Sequence, residues 1–146
     1  MERTYIKDLH EHTGKEVLIK GWVDVRRDQG KLVFFDFRDM TGAVQGVVLP
    51  KAQAMEVAKE IREEFVVSVM GKVNERPDKN KQAGKQNGDI ELEILELTVL
   101  NTAITPPFDI HADTREINEE VRLKYRYLDL RNTRMQKNMR MRDKII

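Results

Sequence analysis

The second apolar run of the chain, LVFFDFR at residues 32–38, carries an aromatic side chain on a face that should meet water. Side chains alternate across a β-strand, so Phe35 and Phe37 point to one side, whereas Phe34 points to the other with the charged Asp36. An aromatic ring on a solvated strand face can stack on an unpaired base, which is a common way of holding single-stranded nucleic acid. The residues alone leave an alternative, in which a loop or another domain covers Phe34.

The turn at residues 39–42 determines which side chains lie beside Phe34 on the next strand. Its sequence, DMTG, begins with Asp and ends with Gly, as a type I turn prefers. If the two ends of the turn face each other, Phe34 lies opposite Val47. By the same register Asp36 lies opposite Gln45, so Gln45 and Val47 share the outer face with Phe34, although a slip of one residue would reverse the faces. The register therefore predicts an aromatic ring with a hydrogen-bonding amide nearby.

Two polar segments are predicted to lie close to these side chains. Residues 26–31, RRDQGK, are predicted to form a basic turn that can bring Arg26 or Arg27 to a phosphate or a base edge. Residues 74–88, NERPDKNKQAGKQNG, have no apolar period and are predicted to form a mobile loop between two strands. The loop composition suits a nucleic-acid contact, but any solvated loop can have a similar composition.

Composition indicates a globular protein without thiol chemistry. The 146 residues are 40% hydrophobic and 35% charged, and none is Cys, which excludes disulfides and thiolate metal sites. His10 and His12 have no further ligand at a suitable spacing, so no metal site is predicted. The N-terminus has no apolar leader and no run is long enough to span a membrane, so we expect a cytoplasmic location and no membrane partner.

The charge is unevenly distributed along the chain. Residues 122–146 contain nine Lys or Arg and two Asp, whereas the net charge of the whole chain is only +1. A basic C-terminal segment of this kind favours contact with nucleic acid or an acidic partner. A solvated amphipathic helix is the alternative explanation.

The apolar pattern predicts five strands and one intervening helix. The first strand is expected at residues 16–25, the fourth at 65–73 and the fifth at 89–101, where a switch in apolar parity predicts a bulge. After Pro50, apolar residues recur at helical spacing as far as Phe65. This order is that of the OB-fold, a mainly β, five-stranded Greek-key barrel with one helix between strands 3 and 4. Its binding surface lies on strands 2 and 3 and the adjoining loops.

We expect the barrel domain to occupy residues 1–103, followed by a linker at 104–117 that contains Pro106 and Pro107. A helical segment is expected at 118–146, opened by Asn118 with two acidic residues in its first turn. It is expected to pause at Asn132 and Thr133 and then to continue without a stop signal. We therefore expect residues 118–146 to include the truncated start of a larger domain.

Two segments carry a family resemblance. GWVDVRRDQGKLVFFDFRDMTGAVQ and EVRLKYRYLDLRNTRMQKNMRMRDKI resemble the N-terminal region of aspartyl-tRNA synthetases, which are class II enzymes. The first segment is similar in a looser form to the lysyl and asparaginyl enzymes, but its RRD, FxDxRD and GxVQ elements favour the aspartyl family. The motif RLKYRYLDLR resembles the junction between the anticodon-binding and catalytic domains.

The resemblance implies anticodon-binding roles for six residues. In this family the side chain that matches Phe34 stacks on the middle uracil of the anticodon, and the one that matches Gln45 hydrogen-bonds that base. The residue that matches Arg27 supports the first two bases, and those that match Arg76 and Asn80 lie near the third base. The residue that matches Glu91 accepts a hydrogen bond from the first-position guanine. Val47 departs from the pattern, because many bacterial relatives carry an aromatic residue there. The resemblance implies no catalytic and no metal-binding residue in this chain.

The resemblance also implies a longer parent enzyme that activates aspartate with ATP and Mg²⁺ and transfers it to tRNA. This chain would lack the catalytic domain, have no activity or cofactor of its own, and bind the anticodon loop of tRNA(Asp). The parent would be a homodimer through the missing domain, which leaves this chain a monomer or weak dimer.

Three other interpretations stay open at this stage. The chain can be the OB-fold domain of a lysyl or asparaginyl synthetase. The amino-acid pocket of the parent enzyme would decide which synthetase it is. It can be a general single-strand binder, which would accept many sequences of DNA and RNA. It can also be a structural module that uses its basic C-terminal helix for oligomer contacts.

Overall fold

The chain forms two units, Met1–Thr105 and Pro106–Ile146, in a computed structural model that describes residues 1–146. The larger unit contains five strands and one short α-helix. In chain order these are β1 (Glu16–Gln29), β2 (Leu32–Arg38), β3 (Ala43–Val48), α1 (Met55–Glu60), β4 (Val66–Glu75) and β5 (Ile90–Asn101). A 3-10 helix, Ile6–His12, precedes β1.

The five strands close into a barrel in the order β1-β2-β3-β5-β4. The pair β3–β5 is parallel, and every other pair, including β4 with β1, is antiparallel. Closure leaves the sheet without a free edge. The predicted fold class, a mainly β five-stranded barrel with a helix between strands 3 and 4, is confirmed.

The barrel core is built from the inward face of each strand. On β2 the alternation is complete, because Val33, Phe35 and Phe37 are buried while the residues between them are only half-buried. The Phe35 and Phe37 rings stack with their centroids 5.5 Å apart. The predicted register is confirmed, since Phe34 pairs with Val47 and Asp36 pairs with Gln45.

The predicted basic turn at residues 26–31 is wrong over most of its length. Arg26, Arg27, Asp28 and Gln29 belong to β1 and pair with β2, which leaves a short turn at Gly30 with a φ of 72°. Polar residues are tolerated in this part of β1 because the hydrogen-bond ladder between β1 and β2 continues where the side chains do not have to enter the core.

The predicted helix after Pro50 is also shorter than its apolar pattern suggests. Helix α1 ends at Glu60, and Glu64 adopts a left-handed conformation with a φ of 68°. The following segment bonds instead to β1, where Glu64 N donates to Val23 O at 2.7 Å and Val23 N donates to Phe65 O at 2.9 Å. Backbone pairing with the strand replaces further helical turns, while the apolar stripe stays buried through Ala54, Ala58 and Ile61.

The predicted bulge in the last strand is confirmed. Gly71 of β4 pairs with Ile94, whereas the preceding Met70 pairs with Glu96, so Leu95 is the extra residue. The buried positions change parity there, from Ile94 before the bulge to Leu97 after it. The bulge explains why one strand can keep apolar residues inside a strongly curved barrel.

The smaller unit is helical. It contains a 3-10 helix (Thr114–Glu116), followed by α2 (Glu119–Lys124), α3 (Arg126–Asp129) and α4 (Thr133–Ile145). The Asn118 side chain accepts from Glu120 N at 2.8 Å, as its position in the sequence predicts. Asn132 interrupts the preceding helix and also caps the start of α4. Its side chain accepts a hydrogen bond from Arg134 N at 3.0 Å. The linker proposed at 104–117 and the domain bounds around it stay a prediction.

None of these helices has the length and apolar character needed to cross a membrane.

Asp39 connects the N-terminal segment to the turn between β2 and β3. Its carboxylate accepts from Ile6 N at 3.0 Å, from Thr41 N at 2.7 Å, from Thr41 Oγ1 at 2.6 Å and from Gly42 N at 3.1 Å. Arg3 adds an ion pair at 3.9 Å. Burial alone would raise the pKa of the Asp39 carboxyl, but the hydrogen bonds from Thr41, Ile6 and Gly42 together hold that pKa below 3.8.

Replacing Asp39 with Asn is expected to lower the free energy of unfolding at pH 7 by about 2 kcal/mol, because one carboxylate oxygen becomes an amide donor facing Ile6 N–H. The charged form contributes fully above the unfolded pKa of 3.8 and its contribution is lost as pH falls through the lower folded pKa. Urea unfolding of both proteins should therefore show a difference that shrinks below pH 3.8.

The exposed Glu11 provides the matched control, and Glu11→Gln should leave the unfolding curve nearly unchanged at pH 7. A difference between wild type and Asp39→Asn that stayed constant well below pH 3.8 would show that the carboxylate charge is not responsible.

Candidate nucleic-acid interface

The outer face of β2 places Phe34 between two strands that contribute polar side chains. Phe34 pairs across the sheet with Arg27 on β1 and with Val47 on β3. Its side chain is half-buried and lies outside the apolar core cluster. Val47 keeps only 8% of its surface exposed, so it offers little area to a ligand. Phe34 is therefore the aromatic surface that this face presents.

A cleft of about 490 Å³ lies over this face, and all six residues chosen from the sequence line it. They come from four strands and the loop between β4 and β5, at positions Arg27, Phe34, Gln45, Arg76, Asn80 and Glu91. Barrel closure brings them together, since β3 lies next to β5 although β4 precedes β5 in the chain. The structure thus gathers the six side chains into one cleft.

Two amide side chains that were not chosen as site residues, Gln29 and Gln82, complete the cleft. Gln29 is the last residue of β1 and pairs with Leu32 in the same ladder as Arg27. Gln82 lies in the loop between β4 and β5, two residues after Asn80. No sequence signal separates Gln82 from the other amides of that loop, because only the path of the folded loop turns it toward the cleft.

The predicted loop at residues 74–88 is partly strand and partly anchored to the barrel. Asn74 and Glu75 belong to β4. At the other end Asn87 is buried and its Nδ2 donates to Ala43 O at 2.9 Å and to Ile6 O at 3.3 Å. These bonds hold the end of the loop against the strand that carries Gln45.

Arg76 is the least exposed of the six chosen residues. Its side chain is only 4% exposed, and its backbone N donates to Asp89 O at 2.8 Å. The Nε atom is buried without a hydrogen-bond partner, and the nearest carboxylate, that of Glu91, is 3.9 Å away. A buried donor without a partner costs about 1–3 kcal/mol. Because Nε is not accessible, a ligand in the cleft can satisfy it only if the Arg76 side chain moves.

Cationic residues are close in sequence to the residues of the polar lining. Lys79 and Lys81 lie on either side of Asn80, and Lys31 belongs to the turn between β1 and β2. Lys81 contacts Asp78 at 2.7 Å, which raises the pKa of the Lys81 ammonium and lowers the pKa of the Asp78 carboxyl. These positive charges suit a polyanionic backbone, whose affinity rests largely on such contacts.

The lining groups suit recognition of a base edge. Arg27 and Arg76 supply donors, the Glu91 carboxylate supplies acceptors, and the amides supply both. Phe34 adds a flat apolar surface on which an unpaired base can stack. The cleft therefore combines stacking with edge-specific hydrogen bonds.

Comparison with known proteins gives a family match. Residues 17–100, more than half of the chain, match the tRNA_anti-codon family, which is described as an OB-fold nucleic acid binding domain. The chain is also 46% identical over 149 residues to an aspartate–tRNA(Asp/Asn) ligase of Natranaerobius thermophilus. That alignment covers 99% of this chain and 25% of the relative, so the chain spans about a quarter of the relative's length.

Two solved structures show the same fold. The aspartyl tRNA synthetase from Entamoeba histolytica is similar with a TM-score of 0.77 at 20% identity, over 92% of this chain and 33% of that chain. The asparaginyl-tRNA synthetase from Pyrococcus horikoshii, solved with asparaginyl-adenylate, is similar with a TM-score of 0.70 at 29% identity. The second match covers 90% of this chain and 29% of that chain.

Phe34→Ala is expected to lower the free energy of unfolding by less than about 1 kcal/mol, because Phe34 lies outside the core cluster. The neighbouring Phe35 is fully buried, and Phe35→Ala should cost about 3–5 kcal/mol. Urea unfolding of the two variants measures this contrast. Equal losses of stability would show that Phe34 is a core residue.

Proposed function

The chain belongs to the tRNA_anti-codon family of OB-fold nucleic-acid-binding domains, and from this membership we propose that it is the anticodon-binding region of an aspartate–tRNA ligase. The observation that carries the proposal is the single cleft that all six chosen residues line. The lining offers a stacking surface, donors and acceptors within one open groove, as reading of unpaired bases requires.

The middle uracil of the anticodon is assigned to Phe34 and Gln45. Phe34 provides the ring on which the base stacks. Gln45 offers an amide that can both donate to and accept from a uracil edge, and it lies on the strand next to Phe34. Arg27, the cross-strand neighbour of Phe34, is assigned to the support of the first two bases.

The outer anticodon bases are assigned to the opposite side of the cleft. Glu91 can accept from the N1 and N2 donors of a first-position guanine. Arg76 and Asn80 are assigned to the third base, because both line the cleft and the guanidinium of Arg76 can donate to a base acceptor. Burial of Arg76 strengthens such a bond, since the interaction is not diluted by water.

The parent enzyme is proposed to activate aspartate with ATP and Mg²⁺ and to transfer it to tRNA(Asp). Glu91 is the one carboxylate among the cleft residues, and four neutral amides and two guanidinium groups accompany it. This donor set favours a base edge over a phosphate-bound Mg²⁺, which prefers several oxygen ligands. We therefore assign ATP, Mg²⁺ and the homodimer contact to other parts of the parent.

Asparagine tRNA is a second candidate partner, because the Natranaerobius relative is named for tRNA(Asp/Asn). The two anticodons share their first two bases and differ at the third. Gln82, beside the groups assigned to the third base, can donate or accept and so suits either pyrimidine. Hairpins that differ only at the third base would show whether this chain separates the two tRNAs.

The proposed function is tested by binding of this chain to an aspartate anticodon stem-loop and to the same hairpin with its middle uracil changed to cytosine. Preference for uracil by about fivefold or more is expected, because a well-formed edge contact contributes about 1–3 kcal/mol of discrimination. Fluorescence anisotropy at fixed salt measures both affinities. Equal affinities for the two hairpins would favour a general single-strand binder. Tighter binding of a third hairpin, which carries a lysine anticodon, would favour a lysyl synthetase as the parent.

Phe34→Ala is expected to weaken binding of the aspartate hairpin by about 1–3 kcal/mol, which is the usual contribution of one base stacked on an aromatic ring. Phe34→Tyr should retain most of the affinity, since the ring is kept. Met40→Ala changes a residue that is 84% exposed at the β2–β3 turn and serves as the control. If Phe34→Ala bound the hairpin as tightly as the wild type does, Phe34 would not be part of the binding site.

A further inference from the structure

Asp36 contacts a residue of the cleft without lining the cleft itself. Its Oδ1 accepts from Nη2 of Arg27 at 2.7 Å. Arg27 lines the 490 Å³ cleft, whereas Asp36 lines a smaller neighbouring cavity of about 200 Å³ that does not include Arg27. The carboxylate therefore contacts Arg27 directly, from a cavity that shares Gln45, Arg76 and Gln82 with the cleft.

The strand register explains why these two side chains meet. Arg27 pairs with Phe34, and Asp36 is two residues further along the same face of β2, so Asp36 lies diagonally across from Arg27. Diagonal neighbours on one face of a sheet are within reach of long side chains. On its other side Asp36 pairs with Gln45, so the carboxylate stands on β2 between the strands that carry Arg27 and Gln45.

We propose that Asp36 is a positioning residue that holds the guanidinium of Arg27 in the orientation in which it receives the anticodon. The proposal rests on the proposed function. Arg27 is 41% exposed at its side chain and Asp36 is 24% exposed, so neither is fixed by burial alone. The 2.7 Å hydrogen bond occupies one of the five N–H groups of Arg27 and leaves the others for the ligand.

The physical gain is preorganisation. A long, partly exposed Arg side chain samples many rotamers, and ordering it at the moment of binding weakens affinity by about threefold to tenfold. Asp36 removes that loss by ordering Arg27 beforehand.

The direction in which Asp36→Asn changes the affinity for RNA distinguishes a positioning role of Asp36 from a simple effect of its charge. Asp36 is an anion close to a site for a polyanion, so its long-range field opposes RNA binding, and removal of the charge alone would tighten the complex. Positioning predicts the reverse. Asp36→Asn keeps an oxygen but loses the charge that strengthens the bond from Arg27, and it should weaken RNA binding by about threefold to tenfold. Asp36→Glu retains the carboxylate and should recover part of the affinity.

Asp28 supplies a matched control on the same hairpin. Its carboxylate pairs with Arg26, which does not line the cleft, at 3.2 Å. Asp28→Asn removes one negative charge and keeps an oxygen for the bond from Gly30 N. Binding by this variant is expected to be unchanged or slightly tighter.

A double-mutant cycle tests whether Asp36 acts through Arg27. Affinities for the aspartate hairpin are measured for the wild type, Asp36→Asn, Arg27→Ala and the double variant. We expect Asp36→Asn to weaken binding in the wild-type background and to change it by less than about twofold once Arg27 is absent. The same loss in both backgrounds, or tighter binding by Asp36→Asn, would overturn the proposal.

A second readout does not depend on RNA. The Nε–H order parameter of Arg27, measured by ¹⁵N relaxation on the free chain, should fall in Asp36→Asn and remain unchanged in Asp28→Asn. An Arg27 side chain that is equally mobile in wild type and Asp36→Asn would overturn the positioning role. Failure of the proposed function is recognised separately, because the wild type would then bind the uracil and cytosine hairpins equally.

Discussion

The turn between β2 and β3 depends on one carboxylate. Asp39 accepts hydrogen bonds from the backbone of its own turn and from the N-terminal 3-10 helix. Because side chains alternate along a strand, the register set at this turn decides which residues of β2 and β3 enter the core. A one-residue slip would bury Phe34 and Gln45 and expose Phe35. The binding face therefore exists only while this turn keeps its geometry.

Close packing behind the face adds a second constraint. A Cβ atom at Gly46 would approach the Phe37 ring to 2.8 Å and Ile94 Cδ1 to 3.0 Å, which is too close for any larger residue without movement. The glycine lies between Gln45 and Val47, where β3 meets β5 in the parallel pair. The absence of a side chain at Gly46 lets β3 lie close enough to the core to pair with β2 on one side and with β5 on the other. This pairing brings Glu91 and Arg76 to the same cleft as Phe34.

In the proposed function, the cleft lets a small barrel read bases with few side chains. The strands fix the positions of Phe34, Gln45 and Glu91, while Arg27 is held by an ion pair and Arg76 by burial. Rigid supports reduce the ordering that binding would otherwise require. The comparisons place this chain in the tRNA_anti-codon family, and the chemistry of the cleft is consistent with that membership.

The sequence by itself determined the strand count, the β2–β3 register and the outward position of Phe34, because these follow from two-residue periodicity and local turn chemistry. It also suggested the six cleft residues, although for Arg27, Arg76, Asn80 and Glu91 this came from family resemblance. Tertiary structure alone decided the rest. Strand pairing extended β1 through Arg26–Gln29, backbone bonds to Val23 ended α1 early, and the path of the β4–β5 loop added Gln82 to the cleft. These outcomes depend on contacts between residues far apart in the chain, which no local pattern encodes.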